Sequence, residues 1–334
     1  MSQKTRLLTS ERDDSIVLPS EQKKQVLLTG LQPSGTLHIG NYFGSLKPFQ
    51  DMYEEYESFL MVADYHALTS IRDKEALRAN IYDIVRTYLA AGIDSEKVTL
   101  FRQSDNQDHM ELAWILNCLV TVPFLMQAHA YKDKVAKGLE ANAGLFTYPM
   151  LMAADIMLYN ADVVPVGEDQ RQHLEYTREA ATKFNNTYGG TLKEPKELIL
   201  KAVGVVPGTD GAKMSKSYKN TIPLFGSEEE ISKAVMGIVT DSEGKRPENV
   251  YAIHKLFKDE AELETLYTEH EGRYGDLKKA LVADIEAVVA PMRENYKNIS
   301  DADIEQVLEI GVTKAREVSH QQLARVREAI GITF

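Results

Sequence analysis

Two short segments, far apart in the chain, carry residues suited to holding phosphate. Pro33-Ser34-Gly35-Thr36-Leu37-His38-Ile39-Gly40-Asn41 follows the apolar run Val26-Leu27-Leu28 and precedes a helical pattern. Its small residues let backbone approach a ligand at a helix N-terminus, where free N–H groups and the dipole favour an anion. Lys213-Met214-Ser215-Lys216-Ser217 puts two ammonium groups on a loop, behind the small-residue stretch Gly208-Thr209-Asp210-Gly211. Taken singly, a Pro-Ser-Gly is usually a turn and a Lys-Ser cluster usually a solvated surface. Together, in this order, they are far more specific.

Elements that alternate in type must bring these segments together. Residues 26–29, 59–63 and 98–101 are short apolar runs rich in branched side chains, and residues 163–166 form a fourth that ends at Gly167. Residues 74–89, 107–120 and 169–184 read as helices, with Gly92 capping the first. Strands alternating with helices predict an α/β fold on a Rossmann-like, doubly wound parallel sheet that binds ligands at its strands' carboxyl ends. Past Tyr218 the pattern is helical: residues 228–239, 260–269, 276–296 with a break at Pro291, 301–311 and 314–330. The expected organisation is a polar, flexible extension over residues 1–24, a catalytic domain over 25–220 that includes the lysine loop, and an all-helical domain over 221–334.

Composition narrows the function. A chain of 334 residues, 43% hydrophobic and 26% charged, is long enough for two domains. Its net charge of −12 argues against coating nucleic acid indiscriminately, which needs an excess of Lys and Arg, but leaves room for one local basic track. Cys118 is the single cysteine, so an internal disulfide and a cysteine-rich zinc site are excluded. Its helical neighbours Leu112, Ile115 and Val120 predict a small buried hydrophobe. Residues 1–24 lack the apolar core of a signal peptide, and residues 143–154 are too short to span a bilayer. A reducing cytoplasm and no membrane association fit. The histidines show no metal-ligand spacing, and no Ser or Cys sits in a nucleophile elbow.

His38-Ile39-Gly40-Asn41 resembles the "HIGH" signature of class I aminoacyl-tRNA synthetases, with Asn41 replacing the final His, and residues 213–217 match their KMSKS signature letter for letter. Residues 142–155 and 164–170 resemble the bacterial tryptophanyl members of the family, and the resemblance runs from about residue 25 to the C-terminus. Leu28 and Tyr65 stand where relatives carry an aromatic and a glutamine.

The resemblance implies ATP-dependent activation of L-tryptophan and transfer to tRNA(Trp) by a homodimer, with Mg2+ arriving on ATP, no zinc and no tightly bound cofactor. Activation needs alignment and charge stabilisation rather than a covalent nucleophile. His38, Asn41, Lys213 and Lys216 are the implied catalytic groups, the lysines reaching the β- and γ-phosphates as point charges. Gln32, Pro33, Ser34, Gly40, Asn41, Gly167, Glu168, Asp169, Val205 and residues Lys213, Met214, Ser215, Lys216 and Ser217 would line the ATP site. Pro149 suits a first helical turn, after which Tyr148, Met152 and Asp155 share one face. Ionised Asp155 can only accept a hydrogen bond and an indole N–H can only donate, so the two are matched. Pairing of Asp155 with a nearby Lys or Arg is the competing role. Tyr148 and Gln170 are candidates for the substrate ammonium, Met152 for a wall of the pocket, and Gly30 and Gln32 for close contacts. A tyrosyl-specific relative or a non-catalytic RNA-binding relative remain alternatives. The apolar run from Trp114 to Met126 fits a dimer interface as well as a core, and Lys314, Arg316, Arg325 and Arg327 fit contacts to tRNA as well as a solvated face.

Overall fold

The computed structural model describes residues 24–167, 171–199, 206–240 and 246–333, so all but the last residue of the expected extension over 1–24 lies outside it. Val26–Leu31 (β1), Glu57–Val62 (β2), Val98–Arg102 (β3), Val163–Val166 (β4) and Lys196–Ile199 (β5) form one all-parallel sheet in the order β3-β2-β1-β4-β5. The first four are the strands the apolar runs predict. β5 begins with Lys196 and Glu197 and has no such run, as befits an edge strand.

Side chains of β1 alternate between two cores, Leu27 entering one and Val26 and Leu28 the other. Both faces are therefore covered, which is why these strands read as unbroken apolar runs. Lys74–Ala90 (α1) packs on the first face through Ile81, Ile84, Val85 and Tyr88. Its N-cap Asp73 accepts from Ala76 N at 2.6 Å, and Gly92, at φ +94°, follows its C-cap Ala91. Asp108–Asn117 (α2), Ala143–Leu158 (α3) and Arg171–Tyr188 (α4) cover the second face.

Glu228–Met236 (α5), Glu248–His254 (α6), Glu260–Glu269 (α7), Tyr274–Asn298 (α8) and Asp301–Ile330 (α9) follow. They enter both sheet cores: Ile231, Ile285 and Ile304 join the first, and Val312, Leu323 and Val326 the second.

Four local expectations are corrected. Pro291 does not break α8; it and Ala287, whose carbonyl loses its partner, are both exposed, where water can satisfy that carbonyl. Pro149 is not in a first turn: Asn142 caps α3 earlier, accepting from Leu145 N at 2.8 Å, and Pro149 lies inside the helix. Cys118 is exposed, because α2 ends at Asn117 and residue 118 falls with Met110 and Trp114 on the outer side. Residues 301–330 form one helix rather than two, and Gly311 explains why. A Cβ there would lie 1.8 Å from the carbonyl oxygen of Leu100, so glycine lets α9 press directly against edge strand β3.

Of the four basic residues on α9, three are engaged within the chain: Arg327 grips both carboxylate oxygens of Glu111, Arg316 donates to the Asp105 carbonyl, and Arg325 donates to Gln322 Oε1 at 3.4 Å. Among the described residues, no helix is long and apolar enough to cross a membrane.

Gly311→Ala tests the α9 contact. Forcing a methyl into that carbonyl should cost about 1–3 kcal/mol, and more if α9 must shift. Urea unfolding should show a lower midpoint; an unchanged midpoint would mean that α9 does not lie against β3.

Candidate active site

Backbone pairing joins the two signature segments. Ile39 N donates to Ile222 O at 3.0 Å, Leu224 N to Leu37 O at 3.3 Å, and His38 bridges Pro223. The segment just after the lysine loop thus forms a ladder with the segment just after β1. Gly40 N donates to Met214 Sδ at 3.3 Å, and a Cβ on Gly40 would meet the His38 ring at 2.9 Å and Met214 Cβ at 3.2 Å. Glycine at position 40 therefore makes room for the protein's own side chains, His38 and the buried Met214, rather than leaving an open shelf. Lys216 Nζ reaches the Ser34 carbonyl at 3.2 Å, so the two loops touch at their tips.

Local hydrogen bonds set the loop's shape. Ser215 N donates to Asn220 Oδ1 at 2.7 Å, while Asn220 Nδ2 donates to Asp210 Oδ1 at 2.7 Å and to the Lys213 carbonyl at 3.1 Å. Asn220 is buried, ties the loop's two ends together, and was not among the residues expected from sequence. Lys213, Lys216 and Ser217 are exposed.

His38 is the N-cap of the short helix Ile39–Asn41, and its own N–H donates to Asn41 Oδ1 at 3.1 Å. That leaves the Asn41 amide hydrogens as its available donors. The His38 ring is buried, and Nδ1 has no hydrogen-bond partner. An orphaned polar atom at this depth is costly unless a ligand meets it. Burial, with a smaller contribution from the positive charge of Lys216, lowers the His38 pKa from 6.5 to about 4. The ring is therefore neutral at physiological pH.

At the carboxyl end of β1, Gly30 lies opposite Met61 of β2, Gln32 is exposed, and its carbonyl accepts from Ser34 N across the buried Pro33. Gly167 is exposed at the end of β4. Glu168, Asp169, Gln170 and Val205, all expected at the site, lie outside the described residues.

Asp155 lies in the buried part of α3. Its partners are not Lys or Arg. His109 Nδ1 approaches Oδ1 at 2.7 Å, Gln103 Nε2 donates to Oδ1 at 2.8 Å, and His66 Nε2 approaches Oδ2 at 2.9 Å. Burial by itself would raise this carboxyl's pKa, but the histidine hydrogen bonds outweigh it and hold the value at about 2. Asp155 is thus a buried, ionised acceptor, and Oδ2, with one bond, retains capacity for another. Met152 packs against the same core, and the Tyr148 hydroxyl meets His173 Nε2 at 2.8 Å, its pKa pushed up to about 12 by burial. Leu28 is buried within the core, and the backbone N–H of Tyr65 positions Gln103 through its Oε1 at 3.1 Å.

Sequence reasoning missed His66, Gln103 and His109 as partners of Asp155. His66 and Gln103 follow the carboxyl ends of β2 and β3, the place where a parallel sheet gathers its ligand contacts, and that position was their available signal.

The model of the class I tRNA synthetases (W and Y) matches residues 20–308. The chain is similar to a tryptophan–tRNA ligase of Fusobacterium nucleatum subsp. nucleatum, at 45% identity over 91% of this chain and 97% of that one. It also superposes on a tryptophanyl-tRNA synthetase from Campylobacter jejuni complexed with ADP and tryptophan, at a TM-score of 0.86 and 43% identity, covering 92% of this chain and 100% of that chain. The synthetase from Mycoplasma pneumoniae gives 0.81 at 31% identity, covering 93% and 98%.

The lowered pKa of His38 makes a signed prediction. Between pH 6.5 and about 4 the unfolded chain binds a proton at this residue and the folded chain does not, so His38 contributes a stability that falls as pH drops through that window. An NMR titration should place its midpoint near 4; a midpoint at 6.5 would mean that the ring is solvated.

Proposed function

The chain belongs to the class I tRNA synthetases (W and Y), and from that premise we propose that it activates L-tryptophan with ATP and transfers the tryptophanyl group to the 3′ end of tRNA(Trp). The observation that carries the amino-acid specificity is Asp155, an ionised acceptor beside the half-buried Met152, with one acceptor position on Oδ2 unfilled. An indole N–H fills that position, and Met152 packs on the ring. Tyr148 and Gln170 face the substrate ammonium, and Gly30 and Gln32 border the amino acid.

Adenylate formation joins the tryptophan carboxylate to the α-phosphate and expels pyrophosphate, so the protein's task is to hold the two in line and stabilise charge on phosphate. Gln32, Pro33, Ser34, Gly40, Asn41, Gly167, Glu168, Asp169 and Val205 border the nucleotide with the loop from Lys213 to Ser217. His38 donates as a neutral imidazole, Asn41 donates through its amide, and Lys213 and Lys216 meet the β- and γ-phosphates. Magnesium comes with ATP as part of that substrate. The helices beyond residue 220 receive the anticodon arm, with Lys314 the basic residue of α9 best placed for RNA because Arg316, Arg325 and Arg327 are engaged.

The reaction is carried out in the cytoplasm by a homodimer. Met110, Trp114 and Cys118 follow one another at four-residue spacing along the outer side of α2, all exposed, with Val122 and Met126 exposed beyond them. Trp114 is 71% exposed. An apolar stripe of this kind resembles the core of a subunit interface.

Pyrophosphate exchange into ATP should depend on tryptophan and not on tyrosine or phenylalanine; exchange driven by tyrosine would reverse the specificity. Lys216→Ala should leave tryptophan binding near wild type while raising the activation barrier by about 3 kcal/mol, roughly a hundredfold in rate. A rate within a few-fold of wild type would remove the lysine loop from the chemistry. In sedimentation the wild type should run as a dimer and Trp114→Glu as a monomer. A monomeric wild type at micromolar concentration would remove the interface.

A further inference from the structure

A series of buried hydrogen bonds leads from the Asp155 carboxylate into α9. Oδ1 meets His109 Nδ1 at 2.7 Å, His109 Nε2 meets the Tyr159 hydroxyl at 2.9 Å, and the Tyr159 oxygen accepts from Asn106 Nδ2 at 3.1 Å. The same Asn106 nitrogen donates to Ser319 Oγ at 2.9 Å, and the Ser319 hydroxyl donates to Asp108 Oδ2 at 2.6 Å. His109, Asn106 and Ser319 are fully enclosed, and Tyr159 and Asp155 nearly so.

The network assigns every proton in the series. Asp155 is ionised and only accepts, so His109 donates from Nδ1 and accepts at Nε2, which requires the Tyr159 hydroxyl to donate. Its oxygen is then free to accept from Asn106, whose nitrogen carries two hydrogens and no lone pair to offer. Turning any one link around would leave an enclosed polar atom unpaired, so the links stand or fall together.

A second polar side chain of α9 acts one turn further on. Gln322 Oε1 accepts from Asn160 Nδ2 at 3.1 Å, and Gln322 Nε2 donates to the Thr191 carbonyl at 3.0 Å. Tyr159 and Asn160 are the two residues that close α3, and Asn160 adopts φ +50° there. Tyr159 lies one helical turn from Asp155. Ser319 and Gln322 thus hold the end of the helix that carries the acceptor, and buried polar contacts fix a register that apolar packing would let slide.

We propose that His109, Tyr159 and Asn106 are positioning residues for tryptophan recognition, and that Ser319 couples the seating of α9 to the orientation of the Asp155 carboxylate. The proposal rests on Asp155 being the indole acceptor. It makes amino-acid affinity depend on a helix from the part of the chain assigned to the tRNA.

The test uses the full chain in pyrophosphate exchange, with KM measured for tryptophan and for ATP. Ser319→Ala should raise the tryptophan KM about three- to tenfold and leave the ATP KM within about twofold. Val326→Ala, which removes buried bulk from the same helix without touching the series, should lower the unfolding midpoint and leave the tryptophan KM unchanged. In His109→Asn the series is already cut, so adding Ser319→Ala should have no further effect. An unchanged tryptophan KM in Ser319→Ala, an equal rise in Val326→Ala, or multiplying effects of the His109 and Ser319 changes would each overturn the coupling. Asp155→Asn separates the two readings. If its tryptophan KM is normal, the acceptor assignment fails and the coupling with it; if its KM rises while Ser319→Ala behaves as wild type, the coupling alone fails.

Discussion

An ionised carboxylate inside an apolar helix costs several kcal/mol unless donors surround it, and Asp155 makes that demand on the parallel sheet and its flanking helices. Its three donors come from three places: His66 just after β2, Gln103 just after β3, and His109 on α2. They converge only if β2 and β3 are adjacent, in register, and capped by α2 on the right face. A strand slip of one residue would turn the contacts away and strand the charge. The carboxylate cluster therefore reports on the correctness of the sheet, and the sheet's order is enforced partly by the cluster.

The two signature segments are built on the opposite plan. Lys213 and Lys216 lie on an exposed loop, with Lys216 reaching the Ser34 carbonyl, His38 keeps an unmet nitrogen, and backbone pairing of residues 222–224 holds the loop to the first signature. A buried cluster with a single open acceptor position favours discrimination between similar side chains, because an ill-fitting ligand leaves polar groups unpaired. Exposed cations on a loop favour a reaction in which phosphate charge must be followed as pyrophosphate departs.

Much of this was legible in the sequence, for identifiable reasons. Strands covered on both faces write themselves as apolar runs, which gave β1 to β4, while the charged opening of β5 left no such mark. The two signatures announced a single site because glycine and lysine at those spacings have few other uses in company, and backbone pairing does bring them together. Gly311 and Pro291 misled because a helix breaker read along the chain is ambiguous. One faces a strand backbone that admits no Cβ, and the other faces water that can satisfy the carbonyl it orphans. The partners of Asp155 were hidden for a different reason: a buried polar cluster is a property of tertiary convergence, and no periodicity in one segment encodes its neighbours.

The direct contact of α9 with β3 has a consequence for how the protein comes into being. β3 is an edge of the sheet, and an uncovered parallel edge is a template for pairing with another chain. On the ribosome β3 emerges early and α9 very late, so through most of synthesis the strand that will be sealed stands open. The interval selects for factors that bind nascent chains, and it penalises premature termination: a product that stops short of Gly311 would carry a finished sheet with an adhesive margin.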